Sequence, residues 1–381
     1  MYCSDVSGAF DKVSSEKLLQ KLSSQGVHPS VINVLESWLA KRRANVVVGG
    51  VESINILMQD MVYQGTVWGP VLWNSFFADA VQALIKAKFE SIVYADDLNA
   101  YHLFPNQTEQ SVIDRSLRSC QDELHKWGRG NRVTFDPKKE SFHTVSRVHP
   151  QGDGFKILGI AFDCQLLMHD TIDELCTQCC WKLRTLLRSR RFFTTGEIVL
   201  HFKSHILSFI EYRTPAITHA ADSAIASVNG VQERFLRDIG VSALDALLHF
   251  KLAPLAARRD IANLGIIHRA ILGLGPRQLQ KFFQLSHNPE PVRSLRYTRY
   301  HDRQVLDPFR PLHRDYINRS TLGYIAIYNW LPNWVVCAES VSCFQGRLQS
   351  MMVDVAQSGF QNWDVIFSNR IPSQFHPLRS L

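Results

Sequence analysis

Three carboxylates set the chemistry available to this chain. Asp96 and Asp97 are adjacent within Tyr94-Ala95-Asp96-Asp97, in the middle of an apolar, β-branched run, and Asp5 opens a second acidic motif. Charges about 4 Å apart repel by roughly 1 kcal/mol in water and about 4 kcal/mol at an effective dielectric of 20. A third carboxylate adds to that cost, and hard divalent cations bound through oxygen remove it. Two such cations, about 3.5–4 Å apart, can hold the attacking and leaving oxygens of an in-line phosphoryl displacement. The chemistry indicated is nucleotidyl transfer; the other reading of the pair is an Asp-Asp turn with no chemistry, since acidic turns are common.

The elements around the carboxylates can be read next. Ser91-Ile92-Val93-Tyr94-Ala95 is extended in character and Leu98 to Phe104 forms a second such run, which puts Asp96-Asp97 at the tip of a hairpin. Asp5-Val6-Ser7-Gly8-Ala9-Phe10-Asp11 precedes a helix with Ser14 or Ser15 as N-cap and Leu18, Leu19 and Leu22 on one face. Gln64-Gly65-Thr66-Val67-Trp68-Gly69-Pro70 is a glycine-flanked loop feeding an apolar helix that starts at Pro70. Val46-Val47-Val48-Gly49-Gly50-Val51 reads as a hairpin turn between two strands.

In this order and at these separations, the D-x-x-x-A-F-D, Q-G-x-x-x-G-P and Y-A-D-D motifs resemble the reverse transcriptase of non-LTR, LINE-type, jockey-like retrotransposons. Each motif alone is weak and the three together are specific. Trp127 and Asp136-Pro137-Lys138-Lys139-Glu140 are similar to that family's next segment, and Phe155-Lys156-Ile157-Leu158-Gly159-Ile160 to the strand called the primer grip. Tyr328-Asn329-Trp330-Leu331-Pro332, followed by Phe344 and Leu348, is similar to a tail of such elements and argues against a group II intron maturase.

The resemblance implies roles for particular residues. Asp5, Asp96 and Asp97 would surround two Mg²⁺ ions, or Mn²⁺ in their place, with Asp5 and Asp96 as the main bridging ligands. Phe10 would be the steric gate that excludes a ribose 2′-hydroxyl; its other reading is a core phenylalanine. Gln64, Gly65 and Tyr94 would line the incoming nucleotide and template, against an ordinary loop leading into a helix. Lys139 would protonate the pyrophosphate leaving group, against a solvated surface lysine. The implied partners are an RNA template, a DNA primer and dNTPs.

The implied fold is α+β: a right-hand polymerase palm on an antiparallel sheet over residues 1–165, a helical thumb over 166–285, and a linker and C-terminal region without assigned chemistry over 286–381. Within the second segment, Asp170 or Thr171 is expected to cap a helix running through Leu187. Thr194 and Glu197 fit a capping box, and Ile225, Val228, Gln232, Phe235 and Leu236 mark a third helix. Arg184, Arg188, Arg190 and Arg191 form a basic stretch, either a solvated helix end or a phosphate contact.

Composition agrees. The 381 residues carry 42 Lys+Arg against 35 Asp+Glu, a net charge of +7, which suits a phosphate-backbone partner. No run of about 18 apolar residues and no signal peptide is evident, so a nuclear or cytoplasmic location and no membrane span are expected. Cys176, Cys179 and Cys180 are the only cysteine cluster, and they fall on the apolar pattern of Leu175, Leu183, Leu186 and Leu187; they read as helix-core thiols in preference to a zinc site. Only four residues precede Asp5. The fingers are therefore expected to be largely missing, as are an endonuclease and an RNase H module. The alternative to an active polymerase is a truncated, catalytically incompetent remnant that only binds nucleic acid.

Overall fold

The structure, a computed structural model, describes residues 1–58, 60–287, 292–293, 298–299, 301–307 and 315–379. The chain packs as two units, Met1–Leu166 and Leu167–Leu381.

The first unit is built on a four-stranded antiparallel sheet. Its strands are β1 (Tyr2–Asp5) at the centre, β6 (Glu90–Tyr94) and β7 (Asp97–Tyr101) to one side, and β8 (Ser141–Phe142) to the other, in the order β6-β7-β1-β8. Between β1 and β6 come helices α1 (Ser15–Ser24) and α2 (Pro29–Leu39), short strands β2 (Arg42–Ala44), β3 (Val47–Val48), β4 (Val51–Glu52) and β5 (Ile56–Met58), and helices α3 (Gly69–Phe77) and α4 (Ala80–Lys86). Helix α5 (Gln110–Asn131) follows β7, and a small hairpin of β9 (Phe155–Ile157) and β10 (Ile160–Phe162) closes the unit.

Strand alternation sorts β1 and β7 into two faces. Tyr2, Ser4, Leu98 and Ala100 share one face through the pairs Tyr2–Ala100 and Ser4–Leu98. Tyr2, Leu98 and Ala100 join the main core with Trp73, Phe76, Phe77 and Leu124. Each large side chain buried there contributes about 1.5–3 kcal/mol. The opposite face carries Cys3, Asp5, Asn99 and Asp97. Cys3 packs there with Phe155 and Cys164 of the hairpin segment. The sheet thus separates an apolar helix-covered face from a face that ends in two carboxylates.

Several expected elements are present. Gly49 and Gly50, both at positive φ (57° and 84°), turn the β3–β4 hairpin, a conformation glycine adopts without steric cost. α1 has Ser14 as N-cap and buries Leu18 and Leu22. Pro70 sits in the first turn of α3. Three details differ. The β6–β7 register pairs Tyr94 with Asp97, so the tip of that hairpin is Ala95-Asp96 and Asp97 is the first residue of the outgoing strand. The primer-grip segment is a hairpin whose turn is Leu158-Gly159, both at positive φ, and not one strand. The helix expected to be capped by Asp170 or Thr171 has Met168 as N-cap, at φ 64°, with no side-chain cap.

The second unit is helical among its described residues apart from short extended pieces: α6 (His169–Arg188), α7 (Thr195–Phe202), α8 (Ser208–Ile217), α9 (Asp222–Ile239), α10 (Ala243–Phe250) and α11 (Leu255–Ile271), then shorter helices and a last long one over Val341–Gln357. The Thr194–Glu197 capping box is formed at the start of α7. Ile225, Val228, Gln232, Phe235 and Leu236 are the buried face of α9. Cys179 is buried in α6, Cys176 and Cys180 are half-buried, and all three thiols are free. One core runs from Leu247 on α10 to Leu378 and includes Tyr328, Leu331, Phe344 and Leu348, so the tail motif is packing surface against α11. The Pro- and Arg-rich stretch that opens residues 286–381 lies largely outside the described residues. Among the described residues, no helix is long and apolar enough to cross a membrane.

Candidate active site

The last pair in the β1–β7 register is Asp5 with Asp97. Two like charges directly opposite on one face of an antiparallel pair destabilise it. The Asp97 carboxyl is raised above its ordinary value. Desolvation is the largest cause, and the charges of Asp5 and Asp96 add to it. Two features oppose the shift: the backbone N–H of Leu158, at the tip of the β9–β10 hairpin, donates to the Asp97 carboxylate, and Lys139 lies nearby. The hairpin turn thereby supplies a fixed donor to this carboxylate.

Lys139 is held over Asp5 by the main chain. The Asp136 N–H donates to the Asp5 carbonyl at 3.1 Å, and the Lys139 N–H to the Asp136 carbonyl at 2.9 Å. The Lys138 N–H donates to the Asp136 carboxylate at 3.0 Å. From this turn the Lys139 ammonium forms an ion pair with Asp5 Oδ2. The pair raises the Lys139 pKa, chiefly through its hydrogen bond to Asp5.

Asp96 occupies the hairpin turn beside this pair. Its neighbour Ala95 adopts φ 54°, a left-handed conformation costly for a residue with a Cβ. The turn is held from below: Trp73, 1% exposed, donates its indole N–H to the Ala95 carbonyl at 2.8 Å. Trp73 lies on α3, immediately behind the glycine loop. Its ring stands 5.7 Å from that of Phe10. The Phe10 carbonyl in turn accepts from the Val62 N–H at 2.8 Å, tying down the segment before Gln64. Gly65 has φ 82° and, with Gln64, is exposed. A Cβ on Gly69 would stand 2.9 Å from the Tyr63 carbonyl and 3.6 Å from the Phe10 ring, so the loop closes this tightly only with glycine there. Tyr94 pairs with Asp97, on the same face, and is exposed.

The structure thus brings Asp5, Asp97 and Lys139 together, places Asp96 in the adjoining turn, and links Phe10 and the Gln64-Gly65 loop to that turn through Trp73. Trp73, Gly69 and the Leu158 N–H are contributors that reading the sequence did not assign. Gly69 and Leu158 carried a signal, being inside the glycine-loop and primer-grip motifs; Trp73 carried none.

The donor chemistry of Asp5, Asp96 and Asp97, all carboxylate oxygen, suits hard divalent cations. Among the described residues, however, no group of three His, Cys, Asp or Glu side chains is gathered as a metal-holding set. Asp5 is engaged by Lys139 instead.

In the second unit, Arg188, Arg190 and Arg191 line a cleft of about 590 Å³ with Phe193, Thr194, Thr195, Ile198 and Ile239. Arg190 donates to the Asp238 carbonyl, and the Arg191 guanidinium lies 4.7 Å over the Phe192 ring. Arg184 is exposed and is not among the residues lining the cleft.

Comparison with known proteins agrees with the motif order. Residues 1–162 match the family described as "Reverse transcriptase (RNA-dependent DNA polymerase)". A relative, "RNA-directed DNA polymerase from mobile element jockey" of Drosophila funebris, is 25% identical over 257 residues, covering 62% of this chain and 28% of that protein. Residues 1–162 are thus similar to reverse transcriptase domains, that of a jockey element among them. The chain spans little more than a quarter of the length of that relative.

Proposed function

We propose that this chain is the RNA-directed DNA polymerase module of a non-LTR retrotransposon, its first unit acting as palm and the helical start of its second as thumb. The observation that carries the reading is the coupling of three separate motifs. Asp5 opposes Asp97 across two strands, Phe10 packs on Trp73, and Trp73 holds the turn that bears Asp96.

In this reading Asp5, Asp96 and Asp97 would hold two Mg²⁺ ions, Asp5 and Asp96 as the main bridging ligands. When bound, the ions would neutralise the carboxylates and stabilise charge on the attacking and leaving oxygens. The remaining roles belong to the chain itself. Phe10 stands at the sugar of the incoming dNTP and rejects a 2′-hydroxyl by clash. Gln64, Gly65 and Tyr94 position the nucleotide and template. Lys139 gives its proton to the departing pyrophosphate. Arg188 and Arg191 meet the phosphate backbone of the RNA–DNA duplex.

The test is primer extension on an RNA template with Mg²⁺ and dNTPs, comparing wild type with Asp96→Ala. Extension lost in the variant is the expected result. Extension that persists in Asp96→Ala sinks the assignment. Salt-sensitive duplex binding with no extension by either protein selects the alternative, a remnant that only binds nucleic acid.

A further inference from the structure

Resting on the polymerase reading above, we infer that Lys139 is a built-in counter-ion which competes with the divalent cation for Asp5. Metal loading of the carboxylates would then require displacing Lys139. Two observations point to this. The ammonium bonds Asp5 Oδ2 directly. The turn that presents it is fastened to the main chain of Asp5 itself, through the Asp136 N–H, so the lysine is placed by the fold and does not reach Asp5 as a free surface side chain.

The physical reason is charge balance. Asp5 faces Asp97 in register and Asp97 feels the charges of both Asp5 and Asp96, so without a cation the site carries uncompensated negative charge. An ammonium on Asp5 relieves part of it. A divalent cation on the same carboxylate would stand within a few ångströms of that ammonium, and the two positive charges repel. The contact is therefore in exchange with metal: Lys139 compensates part of the carboxylates' charge and is released when the cation arrives. Release would also free Lys139 for the leaving group.

The experiment is a Mn²⁺ titration of the purified 381-residue chain, reading free Mn²⁺ by electron paramagnetic resonance, with no nucleotide and no turnover. Lys139→Gln should bind Mn²⁺ more tightly than wild type, by about two- to fivefold, the worth of an exposed ion pair. Lys139→Arg, which keeps the charge, should bind like wild type. Lys138→Gln removes a neighbouring charge outside the pair and should shift affinity less than Lys139→Gln does. Lys139 is exposed, so these variants are expected to fold, and Lys139→Met removes the same charge by a second route if the glutamine variant does not. Unchanged or weaker binding by Lys139→Gln, or an equal gain in Lys138→Gln, overturns the competition. Asp96→Asn separates the two levels. If it weakens Mn²⁺ binding, the metal-site reading stands whatever Lys139 does. Binding indifferent to Asp96→Asn overturns both.

Discussion

Trp73 and Ala95 are joined by a hydrogen bond from the indole N–H to the backbone carbonyl, 2.8 Å long, and this bond fixes the turn that carries Asp96. Ala95 sits at φ 54°, so the turn needs outside support. Trp73→Phe keeps most of the buried ring and removes the donor. It should cost about 1–2 kcal/mol of stability, through an acceptor left without its partner. Extension should fall further than the folded fraction explains, because Asp96 loses its support. Urea denaturation alongside single-turnover extension would measure both. A variant that loses stability and activity in proportion would show that the bond serves packing alone.

Asp97 is held against its neighbours' charge, so neutralising it should help the fold while removing function. Its carboxyl is raised by desolvation and by Asp5 and Asp96. Asp97→Asn keeps an oxygen acceptor for the Leu158 N–H and removes the repulsion. The melting temperature should rise by about 1–3 °C, the response of a unit this size to a fraction of a kcal/mol. Extension should be lost. A fall in melting temperature would mean that Asp97 stabilises the fold through contacts that outweigh its repulsion.

Phe10 and Gly69 should act on the same property. On the proposed gate role, Phe10→Val should relax discrimination between dNTP and rNTP, since rejection by clash would be lost with the ring. Gly69→Ala should disturb the same discrimination indirectly, because its Cβ would meet the Tyr63 carbonyl at 2.9 Å and press toward Phe10. Single-nucleotide incorporation with each substrate is the measurement. Selectivity unchanged in Phe10→Val would make Phe10 a packing residue.

The arginine cleft gives a salt-dependence prediction. Each phosphate contact contributes about 0.9 to the slope of log affinity against log salt for duplex DNA. The double variant Arg188→Gln/Arg191→Gln should therefore lower the slope by about 2 on an RNA–DNA duplex. Arg190→Gln should act chiefly on stability, since Arg190 is bonded to the Asp238 carbonyl. A slope unchanged in the double variant would place the duplex elsewhere.

What could be read from the residues in advance follows a physical division. Local signals read well: Gly49-Gly50 for a tight hairpin, Thr194 and Glu197 for a capping box, Pro70 for a helix start, and the apolar face of α9. The motifs also picked out Asp5 and Asp97, which the β1–β7 register sets opposite each other, and Asp96 in the adjoining turn. Three kinds of feature escaped. Register decided that Asp97 belongs to a strand and that Ala95 shares the tip, and a one-residue difference of that kind is invisible in composition. Left-handed non-glycine residues, Met168 and Leu158, set a helix start and a hairpin turn without any side-chain signal. Long-range contacts, Lys139 to Asp5 and Trp73 to Ala95, depend on the assembled sheet. The tail motif of Tyr328 and Phe344 was legible as a pattern, yet its role as core against α11 needed the structure.

That tail core contains a pH-sensitive element. His268 on α11 is fully buried and stacks on Phe344 at a ring separation of 4.1 Å. Its Nδ1 lies 2.9 Å from the Tyr328 hydroxyl and its Nε2 lies 3.0 Å from the Ala338 carbonyl. Burial lowers its pKa to about 4, with the positive charges of Arg303 and Arg347 acting in the same direction and the Ala338 carbonyl opposing. The folded value lies below the unfolded one, near 6.5. The stability that follows is fully present above pH 6.5 and is lost as the pH falls toward 4. Buried His301 and His376 are lowered likewise and add to the trend. Asp260, pushed up to about 6 by burial, works in the opposite direction, because its protonated form is the one the fold favours. His268→Gln removes one titration and leaves the others. Between pH 7 and pH 4.5, wild type should lose on the order of 2 kcal/mol more than the variant. Urea titrations of both proteins at the two pH values would show it, and equal losses would mean that His268 is charged in the fold or takes no part in the acid response.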